Sequence, residues 1–406
     1  MRKIIVIGGG AAGLLAAYTS ATQGNSVVLL EKNEKLGKKI YITGKGRCNL
    51  SNYISVNDFF TNITTNPKFL YSSINFFSPY DVYDFFEKNG LKLKVERGNR
   101  VFPLSDKASD VTKILEKLLI RVGVDIRLNT EVKDIIVENN VVRGVRTEKC
   151  SLTCDSVIIC TGGVSYPLTG STGDGYKFAK SVGHDIITPK PSLVGIELFD
   201  NDFLKMQGLS LKNVAIKINV DNKKVYSDFG EMLFTHFGVS GPIILSASSI
   251  LNKYDLKNTI INIDLKPALE LDKLNNRLVR EFAENGNKNI SNALRAILPQ
   301  NLIDVILARA CISKAKSCCK ITTEERLSIA NKIKNLTFKI KKLRSIDEAI
   351  VTSGGVNVKE INPKTLESKL VKGMFFAGEV IDVDAFTGGF NLQIAFSTGY
   401  VAGFNA

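Results

Sequence analysis

The chain has 406 residues, 44% of them hydrophobic and 23% charged, with a formal net charge of +14. This composition excludes a disordered chain, and the length allows two or three domains with cores of their own. No apolar run reaches the roughly 18 residues of a membrane span, and the seven cysteines include no CxxC pair, so neither a membrane protein nor a zinc or disulfide framework is predicted.

The amino terminus resembles a signal peptide at first sight, because Arg2 and Lys3 precede an apolar stretch. Three consecutive glycines interrupt that stretch, however, and a second strand-like segment, "SVVLLEK", follows it. We therefore expect a cytoplasmic protein whose cysteines are free thiols.

The segment "KIIVIGGGAAGLLAAYTSATQGNSVVLLEK" predicts a strand, a glycine turn, a helix and a second strand. Gly8, Gly10 and Gly13 form a GxGxxG pattern that allows a sharp turn, close approach to a pyrophosphate and tight helix packing, respectively. Free N–H groups at the start of the helix, at Ala11 and Ala12, suit phosphate, and Glu31 suits ribose hydroxyls. The segment therefore predicts a dinucleotide site.

A second glycine-rich loop, "GKKIYITGKGRCN", follows within a few residues. Dehydrogenases that use NAD usually need no such loop, whereas FAD is longer and its ring must be carried past the sheet edge. We therefore interpret the loop as the cradle of the flavin end of FAD, with Lys38 and Lys39 near the phosphates and Arg47 and Asn49 around the ring or the substrate. The contacts predicted here are Lys32, Gly37, Lys38, Lys39, Thr43, Gly44, Gly46, Arg47, Cys48 and Asn49.

Two roles are open for Cys48. A thiolate beside Arg47 would have a lowered pKa and could exchange electrons with a flavin. Alternatively, Cys48 is a small packed side chain, which the lack of a resolving cysteine at CxxC spacing favours.

The middle of the first half predicts a helix on a sheet, a small antiparallel meander and a buried strand. The helix is "ASDVTKILEKLLIRVG", with apolar residues at helical spacing, and the buried strand is "SVIICTGG". The turn Thr161, Gly162 and Gly163 would approach the dinucleotide, and Val132 would contact its adenine through backbone and apolar packing. No second dinucleotide fingerprint appears, so NAD(P)H would bind only transiently, against the flavin.

The pattern changes near Pro189 to β-like segments and then, between about Glu270 and Asn335, to helical periodicity. The predicted domains are an FAD-binding part at 1–188, an inserted β domain at 189–268 and 336–345, a helical subdomain at 269–335, and a second FAD-binding part at 346–406. In "LFTHFGVSGPIIL" we expect His236 in a loop between a strand and a helix. His236 is either a proton donor or a side chain that hydrogen-bonds this loop into shape.

The carboxyl-terminal segment "GMFFAGEVIDVDAFTGGFNLQIAFSTGYVAG" predicts a short buried strand and then a helix rich in small residues. Its helix amino terminus would direct partial positive charge at the flavin and raise its reduction potential. The cofactor contacts predicted in this segment are Gly378, Glu379, Gly388, Gly389, Asn391, Leu392 and Gln393.

Four segments together, "GKKIYITGKGRCNLSN", "FTHFGVSGP", "TSGGV" and "FAGEVIDVDAFTGGFNLQIAFSTGYVAG", resemble the BaiN/YhiN-type bacterial flavoproteins of the two-dinucleotide-binding-domain superfamily. That family of NAD(P)/FAD-dependent oxidoreductases includes proteins described as aminoacetone oxidases and as 3-dehydro bile acid reductases. The resemblance implies an α/β fold, with a Rossmann-like FAD-binding domain split in sequence by a β-barrel-like insert and a helical subdomain. It also implies FAD contacts at the motifs named above, but it transfers no substrate.

The sequence therefore predicts an FAD-dependent oxidoreductase that passes hydride through flavin N5 between NAD(P)H and a small-molecule substrate, with neither nucleic acid nor membrane as a partner. An amine oxidase of the aminoacetone type, which uses dioxygen, is an alternative. A flavin-containing nucleic-acid-binding protein is another, because the chain is basic, and a non-catalytic FAD-binding regulator is a third.

Overall fold

The computed structural model describes residues 1–406, which form two compact units. One unit, the outer unit, joins Met1–Ser192 to Ser345–Ala406, and the other, the inserted unit, comprises Leu193–Arg344.

The strands and helices are numbered in chain order. Residues 1–192 contain β1 (Lys3–Ile7), α1 (Ala11–Thr22), β2 (Ser26–Leu30), α2 (Lys38–Ile42), β3 (Ser51–Asn52), α3 (Val56–Phe60), β4 (Ile63–Thr65), α4 (Tyr71–Phe76), α5 (Pro79–Lys88), β5 (Leu93–Glu96), β6 (Arg100–Pro103), α6 (Ala108–Arg121), β7 (Asp125–Arg127), β8 (Val132–Glu138), β9 (Val141–Thr147), β10 (Ser151–Thr153), β11 (Ser156–Ile159), α7 (Asp174–Ser181) and β12 (Ile186–Ser192). The inserted unit contains β13 (Ile196–Leu198), β14 (Ser210–Val220), β15 (Lys223–Phe234), β16 (Gly238–Ser240), α8 (Pro242–Leu251), β17 (Thr259–Asp264), α9 (Leu271–Glu284), α10 (Ile290–Ala293), α11 (Gln300–Arg309), α12 (Thr323–Lys334) and β18 (Leu336–Leu343). The last segment contains β19 (Val351–Val356), β20 (Met374–Phe376), β21 (Asp384–Ala385) and α13 (Phe390–Asn405).

A five-stranded parallel sheet forms the centre of the outer unit, in the order β20-β11-β1-β2-β7. Its middle strands are short apolar runs buried on both faces, as expected where helices cover a parallel sheet. Val6 of β1 lies opposite Ile158 of β11 on one side and Leu29 of β2 on the other. Since the strands are parallel, the loops that follow β1, β11 and β20 meet at one edge of the sheet.

The two sequence segments of the outer unit are joined by the packing of α13 on α1. A Cβ atom on Gly399 would lie 2.3 Å from the carbonyl oxygen of Ala12, and one on Gly403 would lie 2.3 Å from that of Ala16. Only glycine allows the two helix backbones to approach this closely. Strand β20 is the other link, since it completes the sheet beside β11. The predicted Rossmann-like domain, split in sequence, is confirmed.

The inserted unit is a closed antiparallel barrel with helices packed beside its strands. Its six strands follow the order β13-β16-β15-β14-β17-β18 and close by pairing β13 with β18. Ile216, Ile218, Ile261 and Phe338 are fully or almost fully buried, and they join the helices in one hydrophobic core. The predicted barrel-like insert and its helical part are thus confirmed. The longest helix of the chain, α13, has 16 residues, and none of the helices has the length and apolarity to cross a membrane.

Candidate cofactor site

The glycine loop between β1 and α1 has the geometry of a phosphate cradle. Gly8 has a φ of +100°, and a Cβ there would lie 2.6 Å from the carbonyl oxygen of Cys160. A Cβ on Gly13 would lie 1.9 Å from the carbonyl oxygen of Gly8, whereas one on Gly10 would meet no atom within 4 Å. Helix α1 starts at Ala11 without a side-chain cap. Its amino-terminal N–H groups, including that of Ala12, are therefore available to an anion in the open space beside Gly10.

Glu31 follows β2 and is almost completely buried. The Gly9 N–H donates to its Oε2 atom at 2.7 Å, and the Asn33 backbone N–H donates to its Oε1 atom at 2.8 Å. These bonds hold the carboxylate beside the glycine loop and leave further acceptor positions on its oxygens, which suits the predicted contact with ribose hydroxyls.

Lys38 and Lys39 begin α2 but have different partners. Lys38 Nζ lies 3.0 Å from Glu34, which is mainly exposed. Lys39 Nζ lies 2.7 Å from Glu379 Oε2, in an ion pair where both side chains are about one-fifth exposed. Lys39 therefore connects the second glycine-rich loop to the carboxyl-terminal motif, across 340 positions of sequence.

Glu379 is the centre of a hydrogen-bond network that sequence reasoning did not include. Its Oε1 atom accepts from the Thr352 N–H at 2.7 Å and from Ser165 Oγ at 2.9 Å. Thr352 Oγ1 in turn accepts from the Ser165 N–H at 3.1 Å, and a Cβ on Gly163 would lie 2.3 Å from that oxygen. Thr352 opens the "TSGGV" motif, which was the available signal for this residue.

The loop at 43–49 has an unusual backbone. The φ angles of Gly44, Lys45, Gly46 and Cys48 all lie between +56° and +85°. Residues other than glycine rarely adopt this region of backbone conformation. Such strained backbone is concentrated at functional sites and must be held by its surroundings. Here the Cys48 N–H donates to the Thr43 carbonyl at 3.0 Å.

Arg47 points to acidic side chains beside this loop. Its guanidinium donates to Glu96 and Asp106 and stacks on Phe102 at 4.2 Å from the ring centroid. Lys94 Nζ also donates to Asp106, at 2.7 Å. Hydrogen bonds from Lys94 and Arg47 hold the pKa of Asp106 below its ordinary value. The cluster fixes Arg47 in place, and its role toward a cofactor or substrate remains a prediction.

Cys48 is completely buried in the hydrophobic core of the outer unit. Burial raises the pKa of its thiol to about 12, so the thiol is protonated at neutral pH. The structure therefore places Cys48 as a packed side chain and does not supply the thiolate that electron exchange needs.

The first turn of α13 is held in place on both sides. Gly388 and Gly389 have φ of +129° and +98°, and α13 begins at Phe390 without a side-chain cap. The Asn391 side chain exchanges two hydrogen bonds with the backbone of Ala385, at 3.0 and 2.8 Å. Gln393 is fully buried, where it accepts from Ser51 Oγ at 2.6 Å, and Leu392 is partly buried. The uncapped amino terminus of this helix is again a site for negative charge.

The remaining predicted contacts lie in neighbouring loops of the outer unit. Gly162, next to Thr161, has a φ of +72°, and Gly378 has a φ of +77°, with its N–H donating to Thr398. Lys32 Nζ lies 2.6 Å from Asp174, the first residue of α7. Val132 is buried at the start of β8.

Two buried oxygens test whether this site fits FAD. Asn49 Oδ1 and Thr161 Oγ1 are inaccessible to solvent and have no hydrogen-bond partner in the chain. Buried polar atoms normally have partners. Asn49 Oδ1 lies at the amino terminus of α13, 2.9 Å from where a Cβ of Gly389 would be, whereas Thr161 Oγ1 faces the first turn of α7, 2.3 Å from where a Cβ of Gly175 would be. The unsatisfied Asn49 oxygen, the open space at Gly10 and the two uncapped helices fit an extended dinucleotide.

His236 belongs to the inserted unit. It lies in the turn between β15 and β16, and α8 begins only at Pro242, so the expectation of a loop between a strand and a helix was wrong. The short strand β16 forms because Val239 pairs with both Phe234 and Ile196 inside the barrel. The imidazole is exposed and contacts the ring of Phe237 edge-on, and it makes no hydrogen bond that would shape the loop.

Comparisons with known proteins agree with this architecture. A family model described as the HI0933-like protein Rossmann domain matches residues 2–405. A 3-dehydro-bile acid delta(4,6)-reductase of Clostridium scindens is 31% identical, over 99% of this chain and 98% of its own length. A ribosomal RNA dihydrouridine synthase of Escherichia coli is 28% identical, over 98% of this chain and 96% of its own length. Among solved structures, a flavocytochrome c3 fumarate reductase in its open conformation has the same fold, with a TM-score of 0.54 and 17% identity, over 100% of this chain and 78% of its own.

Proposed function

Because the chain belongs to the HI0933-like Rossmann family and is an FAD-dependent oxidoreductase, we propose that it reduces a carbon–carbon double bond conjugated to a carbonyl group, with NAD(P)H as hydride donor. The observation that carries the proposal is the chemistry common to two relatives that match almost the whole chain. The double bonds of a delta(4,6) 3-dehydro-bile acid are conjugated to its 3-oxo group. Dihydrouridine is uridine whose ring double bond, next to a carbonyl, has been reduced.

The residues of the outer unit bind and orient the cofactor in this proposal. Bound FAD supplies the hydride chemistry. The N–H groups at Ala11 and Ala12 hold its phosphates, Glu31 holds a ribose, and Asn49 Oδ1 gains the partner that it lacks within the chain. The amino terminus of α13 favours the negative charge that accumulates on reduction.

Reduction of a conjugated double bond also needs a proton, because hydride adds to the carbon remote from the carbonyl and a proton adds to the adjacent carbon. We assign the proton donor to His236. Its imidazole is exposed and engaged in no hydrogen bond, and imidazole is the side chain that most often transfers protons in general acid–base catalysis. The other histidine, His184, is buried between Glu360 and Ser368 and is not accessible to a substrate.

Anaerobic reduction tests the donor. The purified holoprotein is mixed with NADPH and then with NADH, and the visible flavin bands are followed. We expect rapid bleaching by one of them and recovery of the bands when a 3-oxo-Δ4 steroid or a uridine-containing RNA is added. Flavin bands that persist with both nucleotides, together with oxygen uptake in the presence of aminoacetone, would instead support the amine oxidase.

A pair of variants tests the proton donor. His236→Gln should leave bleaching by the nicotinamide unchanged and slow the recovery of the bands by at least about 100-fold, the lower range for removal of a general acid. Phe237→Leu, which changes the ring that His236 contacts, is the matched control and should change neither half-reaction more than severalfold. Equal recovery rates in wild type and His236→Gln would exclude His236 as the donor.

A further inference from the structure

The pairing of β13 within the barrel brings three cations to one carboxylate. Glu197 of β13 lies opposite Gly238 of β16 on one side and Lys342 of β18 on the other, and it is only 9% exposed. Arg344 Nη1 donates to its Oε1 atom at 2.9 Å. The Nζ atoms of Lys341 and Lys342 lie 3.6 and 3.7 Å from its oxygens. The three cations therefore outnumber the carboxylate that they share.

A β-bulge in β18 produces this arrangement. Glu197 pairs with Lys342 and Leu198 pairs with Ile340, so Lys341 is an extra residue in the strand. Successive residues of a regular strand project to opposite faces, whereas these two successive lysines both lie within 3.7 Å of one carboxylate. Bulges redirect side chains and are frequent beside active sites. The bulge therefore points to a functional use of the cations at this end of β18.

The ring of Phe237 connects Arg344 to His236. Arg344 Cζ lies 4.7 Å from the ring centroid in a cation–π contact, and the imidazole of His236 lies edge-on, at a centroid distance of 5.1 Å. A Cβ on Gly195 would lie 2.7 Å from this ring, so the ring packs directly on the backbone there. The Phe237 carbonyl accepts from the Leu198 N–H at 3.2 Å. The guanidinium and the imidazole are thus held beside one fixed ring.

The two groups suit two different atoms of one conjugated carbonyl compound. When hydride adds to the carbon remote from the carbonyl, the π electrons shift and leave the carbonyl oxygen as an enolate oxyanion. A guanidinium keeps its proton and binds oxyanions through N–H donors in one plane, whereas an imidazole transfers protons. The oxygen and the carbon that is protonated are attached to the same carbonyl carbon, so the two protein groups must be neighbours. Arg344 and His236 meet this requirement across Phe237.

We propose that Arg344 binds the carbonyl oxygen of the substrate and stabilises the enolate that forms on it, while Glu197 and Phe237 hold the guanidinium in place. Hydride forms a bond to the remote carbon, Arg344 holds the resulting oxyanion, and protonated His236 gives its proton to the adjacent carbon. The products are a saturated ketone and a neutral imidazole. This assignment rests on the proposed function, and it implies that a substrate needs no anionic group of its own.

Binding of 4-nitrophenol to the oxidised holoprotein tests Arg344 without any hydride transfer. Its phenolate carries negative charge on an oxygen conjugated to a ring, as the enolate does, and absorbs visible light that the neutral phenol does not. We expect wild type to raise the ratio of phenolate to phenol at least about tenfold over that in free solution, because a cation in contact favours the anion. Arg344→Met should abolish this effect, and Arg344→Lys should weaken it severalfold, since lysine keeps the charge but not the planar donors.

Lys339→Met is the matched control for the binding experiment. Lys339 belongs to β18, and its Nζ lies 5.3 Å from the centroid of the Phe199 ring, so its loss also removes one positive charge and one cation–π contact. It should bind the phenolate within about twofold of wild type, because exposed charges at a distance are screened. Equal losses in Arg344→Met and Lys339→Met would overturn the proposal, and so would binding of the neutral phenol, or of neither form, by wild type.

Recovery of the flavin bands with 2-cyclohexen-1-one tests Arg344 during the reaction. This ketone has no anionic group, so Arg344 acts on it only through the carbonyl oxygen. After anaerobic bleaching by NAD(P)H, Arg344→Met should recover about 100- to 1000-fold more slowly at saturating ketone, the range for loss of one oxyanion donor. Bleaching should be unchanged in every variant, and Lys339→Met should recover like wild type. A higher half-saturating ketone concentration with an unchanged limiting rate would contradict the proposal.

The two experiments separate failure of this assignment from failure of the proposed function. If wild type is not bleached, or is not restored by the ketone, the proposed function fails for this donor or acceptor, while 4-nitrophenol binding still decides Arg344. If Arg344→Met loses its flavin, Arg344→Lys replaces it, because lysine still provides a cation for Glu197. Recovery and phenolate binding that are both unchanged in Arg344→Lys would then overturn the proposal.

Discussion

Two of the three glycines of the dinucleotide fingerprint, Gly10 and Gly13, should respond to the same substitution in opposite ways. In Gly10→Ala the new methyl group enters open space, with no atom of the chain within 4 Å. The backbone at Gly10 is extended, with φ −82° and ψ −172°, so alanine adopts it without strain. In Gly13→Ala the methyl group would lie 1.9 Å from the carbonyl oxygen of Gly8, so the turn or the helix must move.

The magnitudes follow from these contacts. Alanine in place of glycine at a helix amino terminus costs less than about 1 kcal/mol, so the apoprotein of Gly10→Ala should be nearly as stable as wild type. Its methyl group occupies the place where a pyrophosphate approaches, and FAD should bind at least tenfold more weakly, or about 1.4 kcal/mol. In Gly13→Ala an overpacking cost near 3 kcal/mol exceeds a gain in helix propensity near 1 kcal/mol, which leaves about 2 kcal/mol of destabilisation.

Urea unfolding of the apoproteins and fluorescence titration with FAD separate the two effects. Gly286→Ala is the control, since the nearest atom to its Cβ is 3.8 Å away in the inserted unit, and it should change neither quantity. The interpretation of the space at Gly10 as a phosphate cradle would be refuted if Gly10→Ala bound FAD as tightly as wild type while Gly13→Ala was destabilised as expected.

Three further outcomes follow from the contacts of the outer unit. Lys39→Met removes the partner of Glu379 in a largely shielded ion pair and should lower the free energy of unfolding by about 1–3 kcal/mol. Lys38→Met, at an exposed pair, should change the free energy of unfolding by less than about 0.5 kcal/mol. Urea unfolding measures both changes. Burial lowers the pKa of His184 below its ordinary value of 6.5, so His184 is protonated in the unfolded chain at a higher pH than in the folded protein. The free energy of unfolding should therefore fall as the pH drops below about 6.5, and it should fall less steeply in His184→Gln. A thiol reagent should label the three exposed cysteines rapidly in the native protein and all seven after unfolding. The number of rapidly labelled thiols should be the same in Cys48→Ala. A fourth rapidly labelled thiol in wild type that is absent from this variant would contradict the burial of Cys48.

Much of the cofactor half was predictable because its signals are local. Three signals each depend on residues only a few positions away. They are the glycine spacing after β1, the apolar runs of β1, β2 and β11, and the glycines before α13. Steric demands on a turn or a buried strand are set by adjacent residues, so they can be recognised without knowing the fold. The same locality explains the error at His236, because the strand β16 that follows it exists only through pairing with β15 and β13.

The sequence by itself predicted which segments would contact a dinucleotide and determined that the FAD-binding domain is interrupted. Only the tertiary structure decided which charges meet and which polar atoms remain unsatisfied. Lys39 meets Glu379 because α2 and the turn after β20 reach the same edge of the sheet, although the identical residue type at position 38 pairs with a surface glutamate. Likewise, Lys217 and Lys224 of the inserted unit lie in neighbouring rows only because β14 pairs with β15. Such pairings depend on long-range strand order and register, and a one-residue shift of register would turn each side chain to the opposite face.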